Sequence, residues 1–422
     1  MRICRPTYPR SGRLRRAPRA HLAGACLALA LALAVALGGC GTGDHASGTR
    51  SGALTVYSSL PHAGVSARVA DAVAAGERLA LADAHGRAGG RPVRLVELDS
   101  AAPGGSTWDP AAVEANARRA ADDPTAIAYV GELDLGGSAV SVPVTSGADL
   151  LQVSPADGLT ALTRADPAEP EALPESYYPR GRRNFVRLVP TDAEQADALV
   201  DWAREGGAQR LAIVRDDRLF GRELAAEARL AARRRHVTVT GVEEARRAAA
   251  DYRDLARDVA ARAPDAVIYT GLGDPSGDRA LAALGRALPG ASLYGSSALA
   301  LSPGGGQAPR ADVLKPAAPA SRYGRRARQV LRRLAAQRGA SVSPEALYGY
   351  DAMRLVLDAL DAAAPHAGDR AAVVREALRP RPRRSLVGRE PVAATGDTAA
   401  PRFAGYRRTD GRLVFLGVRR AP

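Results

Sequence analysis

Past the first fifty residues, the chain alternates short apolar runs with longer stretches whose apolar residues recur three to four positions apart. The runs at 54–57, 93–98, 126–130 and 150–153 are rich in β-branched residues, leucine and alanine and read as buried strands. Between the first two, Val65, Val69, Val73, Gly76, Leu79 and Ala80 share one helical face, which ends at His85-Gly86. Asp109-Pro110 supplies an N-cap and a first-turn proline for a helix reaching about residue 121. A short helix near Ser138 separates the strands at 126–130 and 150–153.

The pattern then repeats. A strand at 185–189 runs into Thr191-Asp192-Ala193-Glu194, whose threonine and glutamate suit a capping box for a helix ending at Gly206-Gly207. Strands at 210–214, 237–241, 266–270 and 292–294 alternate with helices at 219–234, 249–262 and 278–288. Two long helices follow at 322–337 and 344–362, the second opened by Ser343-Pro344. Near the end, Thr409-Asp410-Gly411 joins apolar runs at 403–407 and 413–418, a hairpin signal. Alternating strands and helices predict mainly parallel sheets covered on both faces. Ligand loops in such sheets lie beyond the carboxyl ends of the strands. Here those loops are 58–63, 132–138, 154–160, 215–221, 271–277 and 295–299.

The first fifty residues follow a different logic. Arginine-rich residues 2–19 precede an uncharged run at 22–36, too short for the ~20 apolar residues of a membrane span but suited to a signal peptide. It closes on Leu37-Gly38-Gly39-Cys40, which looks like a bacterial lipobox. The reading is therefore a removed lipoprotein signal peptide at 1–39 and a flexible tether at 40–53. Cys40 becomes the lipidated residue, anchoring an extracytoplasmic protein to the outer face of the cell membrane. Cys4 and Cys26 leave with the signal, so the mature chain has no internal disulfide and depends on its core.

Composition refines this picture. With 46% hydrophobic and 25% charged residues, 422 residues suffice for two or three globular domains. The net charge of +14 suggests nucleic acid, but seven arginines and no acid lie before Cys40, so half of that charge belongs to the signal. Elsewhere acids and bases are interspersed, and no nucleic-acid partner is expected. The arginine-proline run at 379–384 reads as a solvated loop rather than a phosphate-binding patch.

Catalytic signals are missing from the sequence. There is no Gly-x-Ser-x-Gly elbow and no His-Glu-x-x-His helix, and His62, His85, His236 and His366 are scattered. Gly271-Leu272-Gly273 places its third glycine, Gly277, one residue late for a dinucleotide fingerprint, and it reads as a tight turn. Asp122-Asp123 and Asp216-Asp217 match no cation-loop spacing. The sequence thus predicts no enzyme, no cofactor and no metal.

Several stretches, in order along 54–418, together resemble the branched-chain-amino-acid-binding (leucine-binding) proteins. These are type I periplasmic solute-binding proteins of ABC importers. The stretches are Val56-Tyr57-Ser58-Ser59-Leu60-Pro61, Gly89-Gly90-Arg91-Pro92-Val93, Asn116-Ala117-Arg118, Ala128-Tyr129-Val130-Gly131-Glu132 and Gln152-Val153-Ser154-Pro155-Ala156. They continue with Tyr177-Tyr178-Pro179, Val189-Pro190-Thr191-Asp192, Gln195-Ala196 and Tyr348-Gly349-Tyr350-Asp351-Ala352. The resemblance implies an α/β fold of two Rossmann-like, hinged lobes joined by three crossovers. Lobe one is expected at 54–190 plus 310–385, and lobe two at 191–309 plus 386–422. A small polar solute, an amino acid or amide-like compound, would bind between them, and ABC permease subunits would read the closed shape. A ligand-sensing subunit of a membrane signalling system is the alternative use of the same trap.

The resemblance and the loop positions together give a candidate ligand set: Ser58, Ser59, His62, Leu135, Gly136, Ser138, Ser154, Ala156, Asp157, Asp216, Phe220, Gly271 and Ser297. The family's amino-acid clamp is altered in three places. Leu135 stands where a serine is expected, Gly158 where a hydroxyl residue is expected, and Ser297 where an acid would hold the α-ammonium. Ala156 keeps the backbone position for the α-carboxylate. Ser138, Thr160, Asp157 and Asp274 are the candidate substitutes for the lost groups.

Overall fold

The computed structural model describes residues 52–105, 107–133, 135–165, 173–302, 309–381, 383–388, 392–397, 402–409 and 411–420. The expected signal peptide and Cys40 lie outside these residues, as does most of the expected tether. Six strands, β1 (Leu54–Leu60), β2 (Arg87–Ala88), β3 (Arg91–Asp99), β4 (Ala126–Val130), β5 (Leu151–Ser154) and β6 (Phe185–Arg187), form one sheet in the order β2-β3-β1-β4-β5-β6. Seven more form a second: β7 (Arg210–Arg215), β8 (Thr238–Glu244), β9 (Ala266–Tyr269), β10 (Ser292–Gly295), β11 (Ala311–Lys315), β12 (Arg402–Thr409) and β13 (Arg412–Arg420). Their order is β13-β12-β11-β10-β9-β7-β8. Pairing is parallel except at β2–β3 and in the β11–β12–β13 ribbon.

Helices cover both faces of each sheet, as the alternation predicts. On the first sheet, α1 (Ala67–Asp83) lies on one side, and α2 (Pro110–Asp122) and α3 (Ser138–Gly147) lie on the other. The second sheet is covered by α4 (Asp192–Glu205) and α5 (Leu219–Arg234) on one face, and by α6 (Arg253–Ala260) and α7 (Pro275–Ala287) on the other. Then α8 (Arg325–Arg338), α9 (Ala346–Ala363) and α10 (Arg370–Leu378) return to the first sheet, beside α1. The helix starts behave as read. Asp109 accepts from the Ala112 amide at 2.9 Å, and Glu194 accepts from the Thr191 amide at 2.7 Å.

The closest helix contact needs two glycines. A Cβ on Gly76 would stand 2.0 Å from the Ala346 carbonyl oxygen, and one on Gly349 would stand 2.0 Å from that of Val73. Bare backbone at both positions lets α1 and α9 approach face to face.

The chain crosses between sheets three times, but two crossings differ from the expected 310 and 386. Residues 311–315 are β11, inside the second sheet, so the chain returns to the first only after Lys315. A strand of five residues against the proline-rich run 316–319 was too short to read. Residues 386–388 and 392–397 also stay with the first sheet: Val392 is buried in its core, and the Arg187 amide donates to the Gly396 carbonyl at 2.9 Å. The last crossing falls between 397 and 402. Helix α10 was not expected, and the helix expected at 249–262 is shorter, because the Ala249 amide closes a turn on the Arg246 carbonyl before α6 begins at Arg253.

Candidate functional site

Where the two sheets' carboxyl ends face each other, the lobes touch through apolar side chains. Leu135, from the turn after β4, packs in the same cluster as Phe220 of α5, and Val65 and Trp108 join it from the first lobe. The turn is possible because Leu135 and Gly136 both take positive φ, 60° and 82°. A Cβ on Gly136 would reach the Leu219 side chain at 3.6 Å, so this turn is the first lobe's contact with α5.

Beside the contact lies a cavity of about 290 Å³, the size of a small-molecule site at the lower end of the usual range. Thr107, Trp108, Pro110 and Leu135 line it from the first lobe. Asp216, Arg218, Leu219, Phe220, Arg247, Leu272 and Ala298 line it from the second. Most of this wall is apolar.

The charged residues of the wall are Asp216, Arg218 and Arg247; Arg247 pairs with Asp217 at 2.6 Å, and the other two form a triad with Asp274 behind them. Arg218 bridges Asp216 and Asp274, at 2.6 Å to each. Asp274 also caps α7 by accepting from the Ser276 and Gly277 amides, both at 2.9 Å. Burial alone would raise the Asp274 pKa, but these amides, the Ser276 hydroxyl and the Arg218 guanidinium hold it below the ordinary value. Burial would likewise lower the Arg218 pKa, and the two aspartates outweigh it. Two carboxylates on one guanidinium leave the triad with a net negative charge at neutral pH.

A second network lies behind the first-lobe loops, centred on Glu132. The Ser59 hydroxyl and the Tyr129 phenol donate to its two carboxyl oxygens at 3.1 and 2.6 Å. The Ser154 hydroxyl donates to its backbone carbonyl, and its amide donates to Ser138 Oγ. Asp157 accepts from the Ser138 amide at 2.8 Å, and Ser154 Oγ accepts from the Asp157 amide at 2.8 Å. Burial pushes the Glu132 carboxyl up to about 8, against the hydrogen bonds from Tyr129 and Ser59. It is thus mostly neutral at pH 7.

The thirteen candidate residues therefore divide. Leu135, Asp216 and Phe220 line the cavity, with Gly136 at its edge. Gly271 packs under it, where a Cβ would stand 3.0 Å from that of Asp216. Ser59, Ser138, Ser154 and Asp157 converge on Glu132. The Ala156 amide donates to Ser154 Oγ at 3.3 Å, and the Ser297 amide to Gln195 Oε1 at 2.7 Å. Ser58 sits on the other face of β1 beside Glu77, and His62 pairs with Asp71 at 3.2 Å. At Gly158, a Cβ would meet Asp192 Oδ1 at 2.5 Å, so Asp192 fills the room that a larger residue would need.

Trp108, Arg218, Leu219, Leu272 and Arg247 were not among the candidates. Leu219 and Leu272 lie in loops already expected to face ligand, and Arg218 directly follows the flagged Asp216-Asp217. Trp108 had no such signal, because the loop after β3 was not counted. Among the described residues there is no group of three or more His, Cys, Asp or Glu side chains placed to hold a metal. Nor is any helix among them long and apolar enough to cross a membrane.

Two α/β lobes, three crossings and a cavity at the facing strand ends define a two-lobed solute-binding protein. The chain belongs to the periplasmic binding protein family, whose model matches residues 57–402. This is a family of extracytoplasmic binding proteins, not of enzymes. Among solved structures, a leucine binding protein from Thermotoga maritima matches with TM-score 0.72 at 19% identity, over 87% of this chain and 99% of that one. A substrate-binding protein from Desulfitobacterium hafniense, in complex with leucine, gives 0.69 at 21%, over 86% and 100%. A solute binding protein from R. palustris, in complex with benzoate, gives 0.70 at 17%, over 88% and 98%. A comparison with curated proteins finds no match.

Proposed function

We propose that this chain is the lipid-anchored receptor of an ABC importer and that it takes an amino acid or related small polar solute in the interlobar cavity. The observation that carries this reading is the cavity itself: both lobes line it, so one guest touches both and favours the closed arrangement. The net negative Asp216–Arg218–Asp274 triad supplies a partner for an ammonium, in place of the acid missing at position 297. Trp108, Leu135, Phe220 and Leu272 suit an apolar side chain. The leucine complex of one structural neighbour supports this class, and the benzoate complex of another defines the competing one.

Trp108 is one of two tryptophans and lines the cavity, so its fluorescence reports occupancy. Titration with branched-chain and aromatic amino acids, amides and benzoates is expected to saturate with an amino acid or amide. Saturation with benzoate alone would remove the ammonium role of the triad, and no binding at all would remove the proposal. Trp108→Ala, followed by calorimetry, is expected to weaken affinity about tenfold, the loss of one well-packed aromatic contact.

The anchor is tested separately. Cys40→Ala is expected to move the protein from the membrane fraction to the soluble one and to abolish labelling by a fatty-acid analogue. Unchanged labelling would assign the lipid elsewhere.

A further inference from the structure

The arginine-proline run at 379–384, which the sequence suggests is a solvated loop, turns partly inward. Arg381, Arg383 and Arg384 join Arg326 of α8 and Arg354 of α9 around a cavity of about 360 Å³, together with Asp358 and Asp361. No apolar side chain lines it. Both aspartates are engaged: Asp358 pairs with Arg354, and Asp361 accepts from the Gly89 amide at 2.7 Å. Arg326 and Arg384 are exposed and make no hydrogen bond or ion pair among the described residues.

Arg383 is the telling residue. Its Nη2 donates to the Glu376 and Ala377 carbonyls at the end of α10, at 3.1 and 2.6 Å. Its Nε and Nη1 are buried with no partner among the described residues. Burial and the neighbouring Arg381 push its pKa down to about 10. Five guanidiniums face two occupied carboxylates and Glu376, which pairs with Arg381 at 3.4 Å, so unmet donors and an excess of positive charge remain, which a polyvalent oxyanion relieves. Guanidinium forks match phosphate oxygens in pairs.

We infer that this cavity, which shares no lining residue with the interlobar one, binds a phosphoryl-bearing anion between α8, α9 and the 379–384 segment. It opens beside the hinge: an adjoining cavity of about 590 Å³ shares Arg354, Asp358, Arg383 and Arg384 and reaches the crossover residues Leu188, Pro316 and Arg402. The anion is either soluble or the headgroup of an anionic lipid.

Calorimetry of the mature chain with inorganic pyrophosphate, and flotation with phosphatidylglycerol or phosphatidylcholine vesicles, separate the two sources. Binding of pyrophosphate alone assigns a soluble anion. Selective binding of phosphatidylglycerol vesicles, blocked by high pyrophosphate, assigns the headgroup. The double variant Arg326→Glu/Arg384→Glu touches only exposed, unpaired arginines and is expected to weaken either interaction at least tenfold. Arg229→Glu/Arg233→Glu, on the far helix α5, is expected to leave it unchanged. Binding of neither probe, equal loss in both variants, or displacement by chloride at equal ionic strength would overturn the inference.

Discussion

Replacing Arg187 with alanine is expected to destabilise the first lobe by about 3–5 kcal/mol, the usual cost of removing one partner from a buried ion pair. The side chain is fully buried at the end of β6. It lies 3.0 Å from Asp397 Oδ1, close enough for an ion pair though out of line for a hydrogen bond. Its Nη atoms donate to the Asp157 and Leu159 carbonyls at 3.2 and 2.8 Å, and to Thr163 Oγ1 at 3.0 Å. Alanine strands these acceptors and weakens the hold on Asp397, which keeps Arg164 and the Thr395 hydroxyl, each 3.3 Å away. Lysine keeps a charge but not the fork that spans the 157–163 loop and the 392–397 segment, and should recover only part of the loss. Urea unfolding reads the change. Because Arg187 holds the 157–163 loop, solute affinity should fall in the same variant. Normal stability in Arg187→Ala would show that the 157–163 loop and the 392–397 segment hold without it.

The second large effect is on pH dependence. Burial pushes Glu77 up to about 8, as it does Glu132, whereas each would titrate near 4.5 in the unfolded chain. Between those values the folded state holds protons that the unfolded state has released, so stability falls as pH rises, by at most about 1.4 kcal/mol per pH unit for each group. The stabilisation is complete below about 4.5 and is lost as pH climbs through 8. Carboxylates whose partners depress them, Asp83, Asp274 and Glu345, act in the opposite sense and lose their contribution in acid. Maximum stability is therefore expected near pH 5. Glu77→Gln and Glu132→Gln each remove one slope, and at pH 8 both variants should outlast the parent in urea. Variant profiles that superimpose on the parent's between pH 5 and 8 would refute the assignment.

Local order was legible because it depends on neighbours in sequence. The Asp109 and Thr191 caps, the alternation of strands with helices, and the closing hairpin all need only a few adjacent residues. The loops expected to bear ligand supply most of the cavity wall for the same reason, since parallel strands place their carboxyl ends together. The pairings that make the site were not legible. Arg218 reaches Asp274 across 56 residues, and Gln195 takes the Ser297 amide across 102. Glu132 read as one letter of a motif, and only the fold shows that Ser59, Ser138 and Ser154 turn toward it rather than toward a guest. The run at 379–384 failed differently: its charge pattern was plain, but its burial depends on α8 and α9.

The approach of α1 to α9 has a consequence for the chain while it is being made. Gly89 bonds to Asp361, 272 residues further on, and Gly76 waits as long for its partner backbone. Until α9 has been synthesised, the Ala72, Ala75 and Leu79 face of α1 lacks the helix that covers it. A nascent chain with that face bare is prone to stick to its neighbours, and contacts so distant in sequence form slowly. The second sheet also needs its last two strands, so both lobes reach completion only as the final residues arrive. A holding chaperone would find its work on the first half of this molecule.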